Sequence, residues 1–227
     1  MEKGIVVKLI IGGTSLFSEI ASAYFERNGD EVIGFFVEDG YNKTNTYLGK
    51  PVYSEDDLTV LKGVATHFYV AITYIGMNTV RARVKDKLKG CGLEPASYIS
   101  NRAYLDPSVK LGEHIFIFED NVVQYGCRID DNSVLWSGNH IGHHSKISAN
   151  TFVSSHCVIS GSCVIGKNTF IGVNSTISND ITIGDFCWIQ PNVTISSDIA
   201  DDKIILNKSE TQESKVSAKR YFRVKNV

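Results

Sequence analysis

The chain has 227 residues, 43% of them hydrophobic and 21% charged, a composition that excludes disorder and suits one large domain or two small ones. Lys and Arg total 23 against 25 Asp and Glu, a formal charge of −2, so no whole-chain positive field is available for nucleic acid. No segment approaches the roughly 20 apolar residues of a membrane helix, and the stretch from Met1 to Gly13 lacks the pattern of a signal peptide. Five cysteines without CxxC spacing argue against a disulfide framework or a structural zinc and for a reducing cytoplasm.

In chain order, GIVVKLIIGGTS reads as a buried strand ending in a glycine turn, and SLFSEIASAYFERNG as a helix with Leu16, Ile20, Ala23 and Tyr24 on one face. DEVIGFFVED is predicted as a second strand and THFYVAIT as a third, before the helix TVRARVKDKLKGCG. This alternation predicts a small α/β unit with a parallel sheet. Gly12, Gly13, Thr14 and Ser15 lie between strand and helix, where backbone N–H groups can meet an anion. The turn is not GxGxxG, so a tight turn without a ligand is an equal reading. Glu38 and Asp39 end the second strand, placed to accept hydrogen bonds from a ribose or base or to stand as solvated loop acids.

From Leu105 onward an aliphatic residue recurs at every sixth position: Leu105, Leu111, Ile117, Val123, Ile129, Leu135, Ile141, Ile147, Val153, Ile159, Ile165, Ile171, Ile177, Ile183, Ile189 and Ile195. With apolar residues at about half of all sites, that register arises by chance roughly once in 65,000 trials. A period of six suits short strands separated by corners, each sending one large side chain inward. Four positions after the aliphatic a small residue often recurs, as at Cys127, Ser133, Ser145, Thr151, Cys157, Cys163, Thr169, Ser175 and Cys187. Those are second inward positions, which gives four of the five cysteines a packing role. Glycine often follows the aliphatic, at Gly112, Gly142, Gly166, Gly172 and Gly184, as expected of corners that need unusual backbone angles. Phe152, Phe170 and Trp188 precede inward aliphatics and are expected to leave an apolar outer face for lateral self-association.

Three successive hexapeptides make one triangular coil, and HIGHHS, KISANT, VIGKNT, FIGVNS and TIGDFC resemble the hexapeptide repeat of left-handed parallel β-helix acyltransferases. The left hand comes from that resemblance, because the general crossover rule predicts the right. Across nearly the whole chain, the GGTS turn, GFFVEDGY, YLGKPVYS, IGMNTVRARV, SYISNRAYLDPSVKLGE and NHIGHHS resemble the nucleotide-sugar acetyltransferase family that includes PglD and NeuD-like proteins. The resemblance implies a Rossmann-like nucleotide-sugar-binding domain over 1–97, a left-handed parallel β-helix over 98–199 and an extension with a basic tail over 200–227. It also implies a cytoplasmic homotrimer that uses acetyl-CoA, without a metal, to acetylate the amine of a nucleotide-linked 4-amino-4,6-dideoxy sugar. The product would serve a bacterial surface glycan such as a lipopolysaccharide O-antigen.

His140, His143, His144 and His156 cluster within one short stretch of the repeat. The family's catalytic histidine aligns with His143, and His144 follows it where some relatives carry an orienting glutamate. Acetyl transfer from a thioester to an amine requires removal of a proton from the attacking nitrogen, which imidazole can accept near neutral pH. Glu119, Asp120 and a backbone carbonyl are the open choices for orienting His143. One coil later stands Gly161, whose backbone N–H is expected near the acetyl carbonyl. The resemblance places Phe152, Val173 and Asn179 with Gly161 in the acetyl-CoA groove, and Asn78 with the turn residues around the sugar nucleotide. Some relatives have a second histidine at the place of Phe152, a role His156 can take or leave to solvent. A three-histidine zinc site like that of γ-class carbonic anhydrases does not suit this spacing, because adjacent His143 and His144 do not converge on one ion.

Beyond Ile195 the period fails, and DDKIILNKSETQES is expected as a loop or extension. SAKR resembles the PAKR ending of such acyltransferases, which places Lys219 and Arg220 near the CoA phosphates, a solvated basic tail being the alternative. Two competing functions share these features: an O-acetyltransferase on a sugar hydroxyl of the sialic-acid type, and a non-catalytic trimeric sugar-nucleotide binding module.

Overall fold

Residues 7–41 and 44–208 are described in the computed structural model. The N-terminal unit consists of β1 (Lys8–Gly12), α1 (Leu16–Arg27), β2 (Glu31–Phe36), a hairpin of β3 (Thr46–Tyr47) and β4 (Lys50–Tyr53), α2 (Leu58–Val64), β5 (His67–Val70), α3 (Thr79–Gly90) and β6 (Glu94–Pro95). Its sheet runs β3-β4-β2-β1-β5-β6, parallel apart from the hairpin. The turns after β1, β2 and β5 therefore gather at one edge, the carboxyl edge of the parallel strands.

Helix α1 buries Phe17, Ser18, Ala21, Ser22 and Phe25, whereas Leu16 is 78% exposed. The buried face thus lies one position beyond the predicted one. Phe17 and Phe25, two turns apart, bury more apolar area than Leu16 and Ala23, and the serines between them are small enough to lie against the sheet. Ser18 gains a partner there, donating to the Ala71 carbonyl at 3.2 Å.

From Tyr98–Ile99 onward the chain forms two-residue parallel strands on three faces of a left-handed β-helix. The first face runs from Tyr98–Ile99 to Ile204–Ile205, the second from Tyr104–Leu105 to Thr194–Ile195, and the third from Lys110–Leu111 to Thr182–Ile183. Each strand pairs with its counterpart one coil on, Phe116 with Val134 and Val134 with Phe152 for example. The recurring aliphatics from Ile117 to Ile195 form a single buried core, joined by Cys127, Cys157, Cys163 and Cys187. Leu111 is the exception at 38% exposed, because its strand is the first on the third face.

The corners obey a different rule from the expected one. The left-handed conformation falls three positions after the aliphatics from Leu111 to Ile189, with φ between 55° and 62° at His114, Asp120, Asn132, His144, Asn150, His156, Ser162, Asn168, Asn174, Asp180, Phe186 and Asn192. The glycines directly after the aliphatic are there for closeness instead. A Cβ on Gly166 would lie 2.3 Å from the Gly184 carbonyl carbon, and one on Gly142 2.5 Å from that of Ser160.

The prism also continues past Ile195. Ile199 bridges to Ile183 and Ile204–Ile205 pair with Trp188–Ile189, so the spacing from one coil to the next shortens once, by two positions, and the period of six then resumes. The segment expected as an irregular extension contributes the last strand.

The apolar outer face is covered from within the same chain. Trp136, Phe152, Phe170 and Trp188 stack along the first face, with Phe152 and Phe170 only 4% and 6% exposed. Phe17 packs on Trp136, and Tyr74 packs on Phe152, Phe170 and Trp188. These aromatics join the two sheet systems rather than presenting a surface for self-association.

Candidate active site

At the corner between the second and third faces, His143, Gly161 and Asn179 succeed one another at intervals of one coil. The His143 ring lies directly over buried Gly161: a Cβ there would sit 2.5 Å from its Cε1 and 2.6 Å from its Nε2. His143 is fastened from above by its backbone N–H, which donates to Gln124 Oε1 at 3.0 Å. Its Nδ1 meets Nδ1 of His144 at 3.1 Å, with the two rings at 80°. A groove of about 360 Å³ opens beside it, lined by Tyr104, Asp106, Gln124, Tyr125 and His143. Hydrogen bonds from Ser108 hold the Asp106 carboxyl below its usual range, so it faces the groove as an anion.

The expected neighbourhood is corrected in two respects. Glu119 and Asp120 stand at another corner, where Glu119 takes hydrogen bonds from Tyr24 and Ser137 and Asp120 pairs with Arg102. Neither touches His143, and the side chain that meets its ring nitrogen is His144. The Gly161 N–H is already engaged, donating to Asn179 Oδ1 at 2.9 Å. An acetyl carbonyl reaching that amide would have to displace the Asn179 side chain.

The remaining sequence candidates divide between several places. Phe152 belongs to the aromatic junction on the first face, and Val173, 40% exposed, lies at the corner between the first and second faces, so neither shares the His143 corner. His156 is at that same corner as Val173, its ring over Gly138. Asn78 is fully buried, with its oxygen accepting from Arg81 and its amide donating to the Thr169 carbonyl, and it holds the domain junction. Lys219 and Arg220 lie outside the described residues.

Gly12, Gly13, Thr14 and Ser15 form the turn between β1 and α1. Gly13 has φ of 109° and a Cβ there would approach Ser18 Oγ to 2.9 Å, so the turn requires glycine on both grounds. The Ser15 N–H donates to Ser18 Oγ, which caps α1 from within the protein. Glu38 is not a free acceptor: Arg83 and Lys87 bind its carboxylate, and the Arg83 hydrogen bond holds its pKa below the usual range. Asp39 beside it is exposed.

Gln124, Tyr125, Tyr104 and Asp106 went unread in the sequence, although stepping back one coil from Gly142 and His143 leads straight to Gln124 and Tyr125. A larger cavity of about 520 Å³ lies away from the histidines, against Met77, Phe186, Trp188 and Ile204 at the last coil. The core thiols have no access to either hollow, and burial pushes Cys157 up to about 11. Among the described residues no three His, Cys, Asp or Glu side chains form a metal-ligand group, and no helix is long and apolar enough to cross a membrane.

The family described as the GMPPB C-terminal domain matches residues 93–208, just over half of the chain. No curated protein matches the sequence significantly. Among solved structures, a mutant perosamine N-acetyltransferase from Caulobacter crescentus in complex with CoA and GDP-perosamine superposes with a TM-score of 0.80 at 20% identity, over 88% of this chain and 93% of that one. The acetyltransferase domain of PglB from Neisseria gonorrhoeae, in complex with acetyl coenzyme A, gives 0.75 at 20% identity over 88% and 96%. WeeI from Acinetobacter baumannii gives 0.63 at 16% identity over 89% and 98%. At these identities the likeness is one of fold, and it extends over both parts of the chain.

Proposed function

The chain belongs to the GMPPB C-terminal domain family through residues 93–208, and from the geometry of its His143 corner we propose that it is an acetyl-CoA-dependent N-acetyltransferase acting on a nucleotide-linked amino sugar. The observation that carries this reading is the His143 imidazole, seated on Gly161 with Nδ1 held by His144 beside an open groove. The fold it shares with proteins solved with CoA, acetyl coenzyme A and GDP-perosamine supports the choice of donor and acceptor classes.

In this reading the division is 1–97 for the sugar nucleotide, 98–199 for acyl transfer and 200–227 for the tail. The turn of Gly12, Gly13, Thr14 and Ser15, with Asp39, faces the nucleotide at the carboxyl edge of the sheet. The acetyl carbonyl takes the Gly161 N–H as the Asn179 side chain moves off it, and Lys219 and Arg220 meet the CoA phosphates. The amine nitrogen attacks the thioester carbonyl carbon while His143 Nε2 takes a proton from it. The C–S bond then breaks, and the thiolate leaves as CoA–SH with the proton that His143 carries. No acetyl-enzyme forms, and the cysteines take no part. A cytoplasmic homotrimer supplying a 4-amino-4,6-dideoxy sugar for a surface glycan such as a lipopolysaccharide O-antigen completes the proposal.

The test is acetyl transfer from acetyl-CoA to UDP-, dTDP- and GDP-linked 4-amino-4,6-dideoxy sugars and to hydroxyl counterparts, with products identified by mass. Acetylation of one amino sugar, reduced roughly 100-fold or more in His143→Ala, is the expected result. Turnover of hydroxyl sugars alone assigns the protein to the O-acetyltransferases, and CoA binding without turnover of any acceptor assigns it to the binding modules.

A further inference from the structure

We infer that His144 is the positioning residue of the site, a neutral imidazole that fixes the His143 ring in the tautomer with a bare Nε2. The inference rests on the reading of His143 as the general base. Two Nδ1 atoms 3.1 Å apart share one hydrogen: one nitrogen donates and the other offers its lone pair. The rings stand edge to face at 80°, so nitrogens meet rather than ring faces. With the hydrogen on His143, His144 Nδ1 accepts and His143 Nε2 keeps the lone pair that proton transfer needs.

His144 is built into the corner firmly enough to do this. It occupies the left-handed slot with φ of 60°, and its backbone N–H donates to the Tyr125 carbonyl at 2.9 Å. Its ring rests on Gly126, where a Cβ would come within 3.0 Å of Cδ2, and meets the edge of Tyr125 at 5.5 Å. Gly126 is one of two glycines in that slot in the prism, the other being Gly138 beneath the ring of His156. The titratable groups facing the pair are Tyr104 and Asp106 in the groove and Tyr125 against the His144 ring, and Asp106 is taken by Ser108.

A neutral partner differs from a carboxylate in a measurable way. An imidazole acceptor can itself take a proton, and when both rings are charged each Nδ1 is a donor and the hydrogen bond between them is lost.

Three variants and one spectrum test this. His144→Phe should lower kcat roughly 10- to 100-fold with both KM values within about twofold, since a misoriented base costs rate rather than binding. His144→Gln, which keeps an acceptor that does not titrate, should retain most of the activity, with an acid limb of kcat/KM one proton less steep than the wild type. His144→Glu should move that limb to higher pH by about one unit. In protein carrying 15N-histidine, and without any substrate, His143 should show a protonated Nδ1 and a bare Nε2, a preference lost in His144→Phe. Wild-type rates and an unchanged pH profile in all three variants, with His143→Ala inactive, would overturn the role of His144 and leave the base standing. The opposite tautomer in the spectrum would overturn it as well, and a fully active His143→Ala would remove the reading beneath it. Should His144→Phe fail to fold, the slope in His144→Gln still decides.

Discussion

Gly161 lies buried beneath the His143 imidazole, close enough that any side chain would strike the ring before it struck backbone. Gly161→Ala is therefore expected to displace the base while leaving the prism intact. Its thermal midpoint should stay near that of the wild type, with kcat down by roughly 100-fold from a displacement on the order of 1 Å. Calorimetry beside steady-state kinetics checks this, and a large loss of thermal stability would show that backbone rather than the ring gives way. The pair was legible in the sequence because each coil is three hexapeptides long and the repeat keeps register between them. Glu38 and Asn78 were not legible in this way. Both are saturated by α3, Glu38 by Arg83 and Lys87 and Asn78 by Arg81, and no periodicity announces which polar groups a helix will meet across a fold.

The β-helix asks for glycine at some corner positions and tolerates a left-handed residue at others, for different physical reasons. Gly166 is held by its approach to Gly184, and Ser162 has φ of 60° on an exposed corner. Gly166→Ala should cost about 2 kcal/mol or more, because backbone must move to admit a methyl group. Ser162→Gly should change stability by less than about 0.5 kcal/mol, since relief of the left-handed strain is offset by the greater freedom of the unfolded chain. Urea midpoints of the two variants check both, and equal losses would mean that the slots share one cause. The terminal coil shows the limit of counting: the loss of two positions at one corner moves Ile199 and Ile205 out of a strict tally by sixes, yet they still find the core and the first face.

The whole molecule is joined by a buried polar network as well as by aromatics. Arg81, fully buried, donates to the carbonyls of Ile72, Thr73 and Asn132 and to the side chains of Asn78 and Asn132. Burial pulls its pKa down to about 10, so it remains a cation at neutral pH. His114 accepts the Val70 N–H at Nε2 and donates from Nδ1 to Asn132, and Asn150 and Asn168 extend the ladder to the Met77 carbonyl. Burial, then the nearby Arg81 charge, push His114 down to about 3. The unfolded chain takes up this proton below about pH 6.5 and the folded protein does not, so stability should fall as pH drops from about 6.5 toward 3, by at most about 1.4 kcal/mol per pH unit. Urea midpoints between pH 6.5 and 5 read this above the range where Glu38 and Glu113, both held low by cations, begin to protonate. His114→Gln should be less stable at pH 7 but show a flatter decline, and an undiminished slope would place the effect elsewhere.

Local patterning alone determined much of this protein. The alternation of strands and helices specified the α/β unit, the period of six specified the prism, and the coil of three hexapeptides brought His143 over Gly161. Those features depend on side chains that repeat along one chain direction, and a period in the sequence is a period in space. Only the tertiary structure decided what covers the Phe152–Phe170–Trp188 face, which partner holds His143, and that Asn179 occupies the Gly161 amide. Each of those is a contact across corners or between domains, selected by packing and by the need of buried polar groups for partners, which no residue declares on its own.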